Sequence, residues 1–75
     1  SGAGMPRSEW SPGQRLEREI YDSGMTKEAV ANRAGIGRNT VFQMCNDRPA
    51  LLSSWQKVAA ALGMDAAELV RRCVG

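Results

Sequence analysis

"GMTKEAVANRAGIGRNTVFQM", residues 24–44, is the stretch that decides the fold. Thr26 is a good helix-capping residue, because its hydroxyl can accept from the free backbone N–H groups that open a helix. Met25 before it is spaced to pack on Val30 as a hydrophobic staple, so a helix is predicted over residues 27–34. Gly35 then supplies the left-handed backbone that ends a helix without a Cβ clash. Ile36 turns inward and Gly37 opens a further helix, with Ile36 and Val41 repeating the staple. That second helix is expected to end near Asn46. Ala31 stands where the two helices cross and a small side chain is needed. Val30, Ala34, Ile36, Val41 and Met44 all point back to the same core, so both sides of the tight turn agree on one inside.

Outward from this pair, helical spacing continues and alternating strand patterns are absent, so the chain reads as all-α, a compact bundle of five helices. Ser11, Pro12 and Gln14 form an S-x-x-Q capping box with proline at the first helical position, predicting a helix from Pro12 to about Ser23, stopped by Gly24. Its buried stripe is Leu16 and Ile20, with Tyr21 beside them. After the loop "DRPAL", a fourth helix is predicted over residues 52–62, burying Leu52, Trp55, Val58, Ala59 and Leu62 and ending at Gly63. In the fifth, Asp65 caps, Glu68 closes a D-x-x-E box, Met64 staples to Leu69, and the helix frays after Arg72. Trp10 precedes the first helix, where it can cover the bundle; both tryptophans read as packing residues.

The chain has 75 residues with 43% hydrophobic and 24% charged side chains, the composition of one small globular domain. No apolar run is long enough to span a bilayer, so a cytoplasmic protein without a membrane partner is expected. "SGAG", residues 1–4, reads as a scar of tag removal, leaving residues 5–75 as a single domain that starts at Met5. Cys45 and Cys73 lack the spacing of a disulfide framework or a zinc site and read as reduced. The net charge of +2 is too small to imply a polyanionic partner by itself. Its distribution is more telling: between residues 27 and 48, Lys27, Arg33, Arg38 and Arg48 face only Glu28 and Asp47.

The quoted stretch resembles the helix-turn-helix of the lambda-repressor and Cro type, also called the xenobiotic-response-element family. "WQKVAAALGMDAAELV", residues 55–70, is similar to that family's fourth and fifth helices, so the resemblance covers about Leu16 to Leu69. It implies a lambda repressor-like DNA-binding fold with the helix-turn-helix at about residues 27–46. The third helix is then expected in the major groove, and the second across the phosphate backbone with its N-terminus toward a phosphate. The chain departs from the pattern in three places. Lys27 stands where a glutamine is frequent, Cys45 where a glutamate is frequent, and the loop after helix 3 lacks the common "ENG". Cys45, a small and frequently buried side chain, reads as core.

At 100° per residue, Arg38, Phe42, Asn46, Asn39 and Gln43 share one arc of about 140° on helix 3, opposite Val41, Met44 and Cys45. Taken singly, each is an ordinary solvated helix residue. Within the matched motif, Arg38, Asn39 and Gln43 occupy positions that the resemblance assigns to base edges, and arginine pairs bidentately with guanine, asparagine and glutamine with adenine. Phe42 has two open readings, against a thymine methyl in the groove or folded over helix 4 and the loop after helix 3. Lys27, Thr40, Asn46 and Arg48 are the candidates for phosphate contact.

Catalysis is not expected: the chain has no histidine, and its carboxylates sit where they cap helices or pair with bases. No metal ligand set and no cofactor site is legible. The expectation is therefore a sequence-specific regulator of transcription on double-stranded DNA, a small phage-type or mobile-element repressor that binds a palindromic operator as a homodimer. Leu51, Leu69, Val70 and Val74 are candidate interface residues; Leu51 is conspicuous where a polar cap is usual. The competing reading is an antitoxin that grips a toxin protein as well as its operator.

Overall fold

The computed structural model describes residues 9–74. The proposed scar at residues 1–4 and the start at Met5 lie outside them. The helices are α1 (Pro12–Asp22), α2 (Lys27–Ala34), α3 (Arg38–Cys45), α4 (Leu52–Ala61) and α5 (Ala66–Cys73), with no strand among the described residues. α1 lies against α2, α3 and α5, and α4 bridges α2 and α5, so every helix faces one interior. That interior holds Leu16, Ile20, Val30, Ala31, Val41, Met44, Cys45, Val58, Ala59, Ala61, Leu69 and Cys73.

The punctuation of the central pair forms as its residues dictate. Thr26 accepts from the Ala29 amide at 3.0 Å, and Gly35 adopts φ +74° at the end of α2. The Ile36 amide then donates to the Ala31 carbonyl at 3.0 Å, closing the wide turn that a left-handed residue permits and carrying Ile36 against the core. Gly63 repeats the device at φ +78°, with the Met64 amide on the Ala59 carbonyl at 3.0 Å.

The end of α3 uses the same turn without glycine. Asp47 stands at φ +62°, and the Arg48 amide donates to the Gln43 carbonyl at 2.9 Å. Aspartate tolerates this conformation better than most residues, and here its side chain has a second role. Asp47 Oδ1 accepts from the Gly13 amide at 2.7 Å, across the bundle at the start of α1. Ser11 takes the Gln14 amide on its hydroxyl and the Arg15 amide on its carbonyl, while Pro12 has no N–H to satisfy. Each backbone donor that opens α1 therefore has a partner or needs none. Gly13 also lies so close to α3 that a Cβ there would stand 2.3 Å from the Cys45 carbonyl oxygen.

Several expectations need correction. Tyr21 is 73% exposed, because it sits about 140° around α1 from Leu16, and the Arg18 guanidinium lies 5.3 Å from its ring centre. Leu52 shares the angle of the α4 stripe but occupies the helix's first position, past the reach of the core, and is 65% exposed; Ala61 is buried instead. Leu69 is fully buried and so is no interface residue, whereas Leu51, Val70 and Val74 are exposed. The fifth helix continues through Cys73, which joins the core rather than fraying. Its capping box is only half formed. Asp65 accepts from the Glu68 amide at 2.8 Å, but the Glu68 carboxylate turns to Arg72 and Arg71, whose hydrogen bonds hold it below the usual carboxylate range. Arg72 also reaches Glu19 at 3.1 Å, tying α5 to α1.

The contact of α1 with α3 gives the first prediction. Gly13→Ala is expected to cost about 1–3 kcal/mol in urea unfolding, since two backbones must separate to admit the methyl. At position 47, Asp47→Gly loses only the acceptor for the Gly13 amide, whereas Asp47→Ala also incurs left-handed strain of about 1 kcal/mol. Equal stability of those two variants would contradict the assigned role of the backbone at this residue.

Candidate nucleic-acid interface

α3 is an eight-residue helix with two opposite faces. Val41, Met44 and Cys45 are buried beneath it, while Arg38, Asn39, Phe42, Gln43 and Asn46 are exposed on its far side. An isolated helix of this length is unstable in water, so the buried face is what holds the polar face in position. Asn39, Phe42, Gln43, Asn46 and Arg48 line one shallow depression running from the outer surface of α3 into the turn after it. Among the described residues, no hydrogen bond or ion pair engages the side chains of Asn39, Gln43, Asn46 or Arg48. Their donors and acceptors are directed to solvent or to whatever replaces it.

The other two candidate cations are held. Arg38 Nη1 is 3.0 Å from Glu28 Oε2 at the start of α2, with both side chains well exposed. Lys27 Nζ is 2.7 Å from Glu17 Oε2 on α1 and 4.9 Å from the centre of the Phe42 ring. Phe42 is 44% exposed and so remains on the outer face beside that ammonium, in favourable cation–π geometry. Thr40 is half-buried, about 60° around α3 from the Gln43 edge of the face. Surface ion pairs contribute about 0–1 kcal/mol, so exchanging Glu17 for another anion costs little.

All eight sequence-predicted residues therefore fall on or beside α3, six of them on its outer side or the turn that follows. The acidic partners Glu17 and Glu28 were not singled out from sequence. Glu28 had a signal available, a carboxylate in the first turn of one helix facing an arginine in the first turn of the next. Glu17 had none, since nothing local places α1 beside Lys27. Among the described residues no group of His, Cys, Asp and Glu is arranged to hold a metal ion, and no helix is long and apolar enough to cross a membrane.

A family model described as helix-turn-helix matches residues 15–69, a span that contains every one of these residues. The chain belongs to the Cro/lambda repressor-type helix-turn-helix family. It is accordingly a DNA-binding regulator of transcription. Among solved structures it is similar to the restriction-modification controller protein C.AhdI from Aeromonas hydrophila. The two share 30% sequence identity and a TM-score of 0.70, over 77% of this chain and 89% of that one. No curated protein sequence matches it.

Beneath the helix-turn-helix, burial pushes the Cys45 thiol from 9.0 up to about 11 against the lowering influence of Lys27, and burial does the same for Cys73. Desolvation favours the neutral thiol in the fold, whereas the unfolded chain loses its proton near the ordinary value. Stability is therefore expected to be unaffected by these groups below pH 9 and to fall as pH rises from 9 to 11, by at most about 2–3 kcal/mol per thiol. Urea unfolding across that range should show a shallower decline when both positions are changed, Cys45→Ala with Cys73→Ala. A parallel decline in that variant would assign the alkaline loss to other groups.

Proposed function

We propose that this chain is a sequence-specific repressor of transcription that places α3 in the major groove of double-stranded DNA and binds a two-fold operator as a homodimer. The observation that carries this reading is the exposed strip on α3, where amides without intramolecular partners lie beside an arginine, over a side chain layer sealed into the core. Once a ligand excludes water from that strip its amides need partners, and the base edges of a groove supply them. Arg38 faces guanine O6 and N7, Asn39 and Gln43 face adenine, and Phe42 packs on a thymine methyl. Lys27, Thr40, Asn46 and Arg48 take phosphates, Lys27 by exchanging Glu17 for a backbone oxygen. The likeness to a restriction-modification controller supports a regulatory role.

One module this small contacts few base pairs, so genomic specificity calls for a second half-site, with centres about 34–36 Å apart when two subunits follow one face of the duplex. Leu51, Leu52, Val70 and Val74 are among the exposed apolar side chains available to join subunits. Leu51 opens α4 without any side-chain cap, which is better accounted for by contact than by helix formation.

Selection of bound fragments from random duplexes, followed by footprinting, tests the reading through sequence, symmetry and spacing together. Arg38→Ala is expected to erase preference at one base pair per half-site, costing about 1–3 kcal/mol on the selected site. Retention of the wild-type base profile would remove Arg38 from the base-reading set. Lys27→Ala should instead weaken all sequences alike and flatten the slope of log affinity against log salt by about one unit. An unchanged slope assigns Lys27 to bracing Phe42 rather than to phosphate.

A further inference from the structure

We propose that Glu28 is a specificity-determining residue of the interface, acting through Arg38; this rests on the reading of α3 as the base-contacting helix. The Glu28 carboxylate touches a single nitrogen of the guanidinium, Nη1 at 3.0 Å, and so leaves the other N–H donors of this well-exposed side chain available. Two consequences follow from that geometry. The pair is close to neutral as a unit, which cancels much of the long-range attraction of Arg38 for phosphate oxygens. A guanine edge carries no net charge, so its two acceptors are still met by the remaining donors at little loss. Glu28 thus turns Arg38 from a charge that seeks any backbone into a fork that seeks one base.

The brace acts on entropy in the same direction. An arginine has many rotamers, and immobilising one at an interface costs about 0.5–1.5 kcal/mol. Because Glu28 is carried by α2 and Arg38 by α3, across a turn fixed by Gly35, the bridge holds the side chain in place before DNA arrives. A purely structural role is the alternative: a carboxylate in the first turn of α2 also complements the helix dipole. That role affects folding, not the balance between cognate and random DNA.

The experiment compares Glu28→Gln with the wild-type chain on the selected operator and on a random-sequence duplex, by titration at several salt concentrations, with thermal unfolding measured alongside. Affinity for random duplex is expected to rise about three- to fivefold, with a steeper salt slope, and the ratio of operator to random affinity to fall by a similar factor. Added to Arg38→Ala, the same substitution should raise operator and random affinity alike, by removal of a negative charge, and leave their ratio unchanged, because the guanidinium it would free is gone. A lowered melting temperature with unchanged ratio and slope would overturn the proposal in favour of the dipole role. A fall in the operator-to-random ratio that is equal with and without Arg38 would overturn it as well. Failure of the underlying reading looks different: Arg38→Ala in the wild-type background then leaves the base profile intact.

Discussion

The placement of α3 depends on how its C-terminal end is joined to the start of α1. α3 has no side-chain cap at Gly37 and spans only eight residues, so its own hydrogen bonds cannot sustain it. Val41 and Met44 anchor one side. The far end is fixed where Gly13 lets two backbones meet and Asp47 spends its carboxylate on the α1 amide. A negative charge at a helix N-terminus is favourable there, and the same residue supplies the left-handed turn that releases the chain toward Arg48. One aspartate therefore sets both the angle of α1 on α3 and the course of the loop along the candidate interface.

That arrangement explains why the outer face can be polar without cost to the fold. The core beneath the helix-turn-helix is wholly apolar or thiol, with no buried charged residue among the described residues. The charged contacts of the face are peripheral bridges, each of marginal net value in water. They can be exchanged for contacts with a ligand while the packing that positions them stays intact. Stability and recognition are thus carried by opposite sides of the same short helix, and substitutions on one side need not disturb the other.

The helices were legible in the sequence because their ends are. Capping hydroxyls, a leading proline and glycines at left-handed positions act within a few residues, so Ser11, Thr26, Gly35 and Gly63 announce themselves locally. The misread residues are those whose surroundings are set by distant chain. Leu52 obeys the period of α4 yet lies beyond the core, and Tyr21 differs from Ile20 only by one step around α1. Gly13 and Asp47 carry no local sign of their partnership, since 34 residues separate them. The candidate face was legible for a different reason: a polar arc opposite an apolar one needs only helical geometry. What that geometry cannot give is the ionic state of the face, because Glu17 and Glu28 come from other helices.

Net charge bears on how such a face discriminates. With a formal charge of only +2, and with Lys27 and Arg38 each matched to a carboxylate, the candidate residues offer a polyanion little unopposed charge beyond Arg48. Affinity drawn from phosphates alone is indifferent to sequence and falls steeply with salt. A weakly charged module therefore gains less from random DNA than a strongly basic one, and a larger share of its binding must come from contacts other than phosphate. Paired cations beside unpaired amides are the arrangement expected of a surface whose selectivity depends on keeping the backbone contribution small.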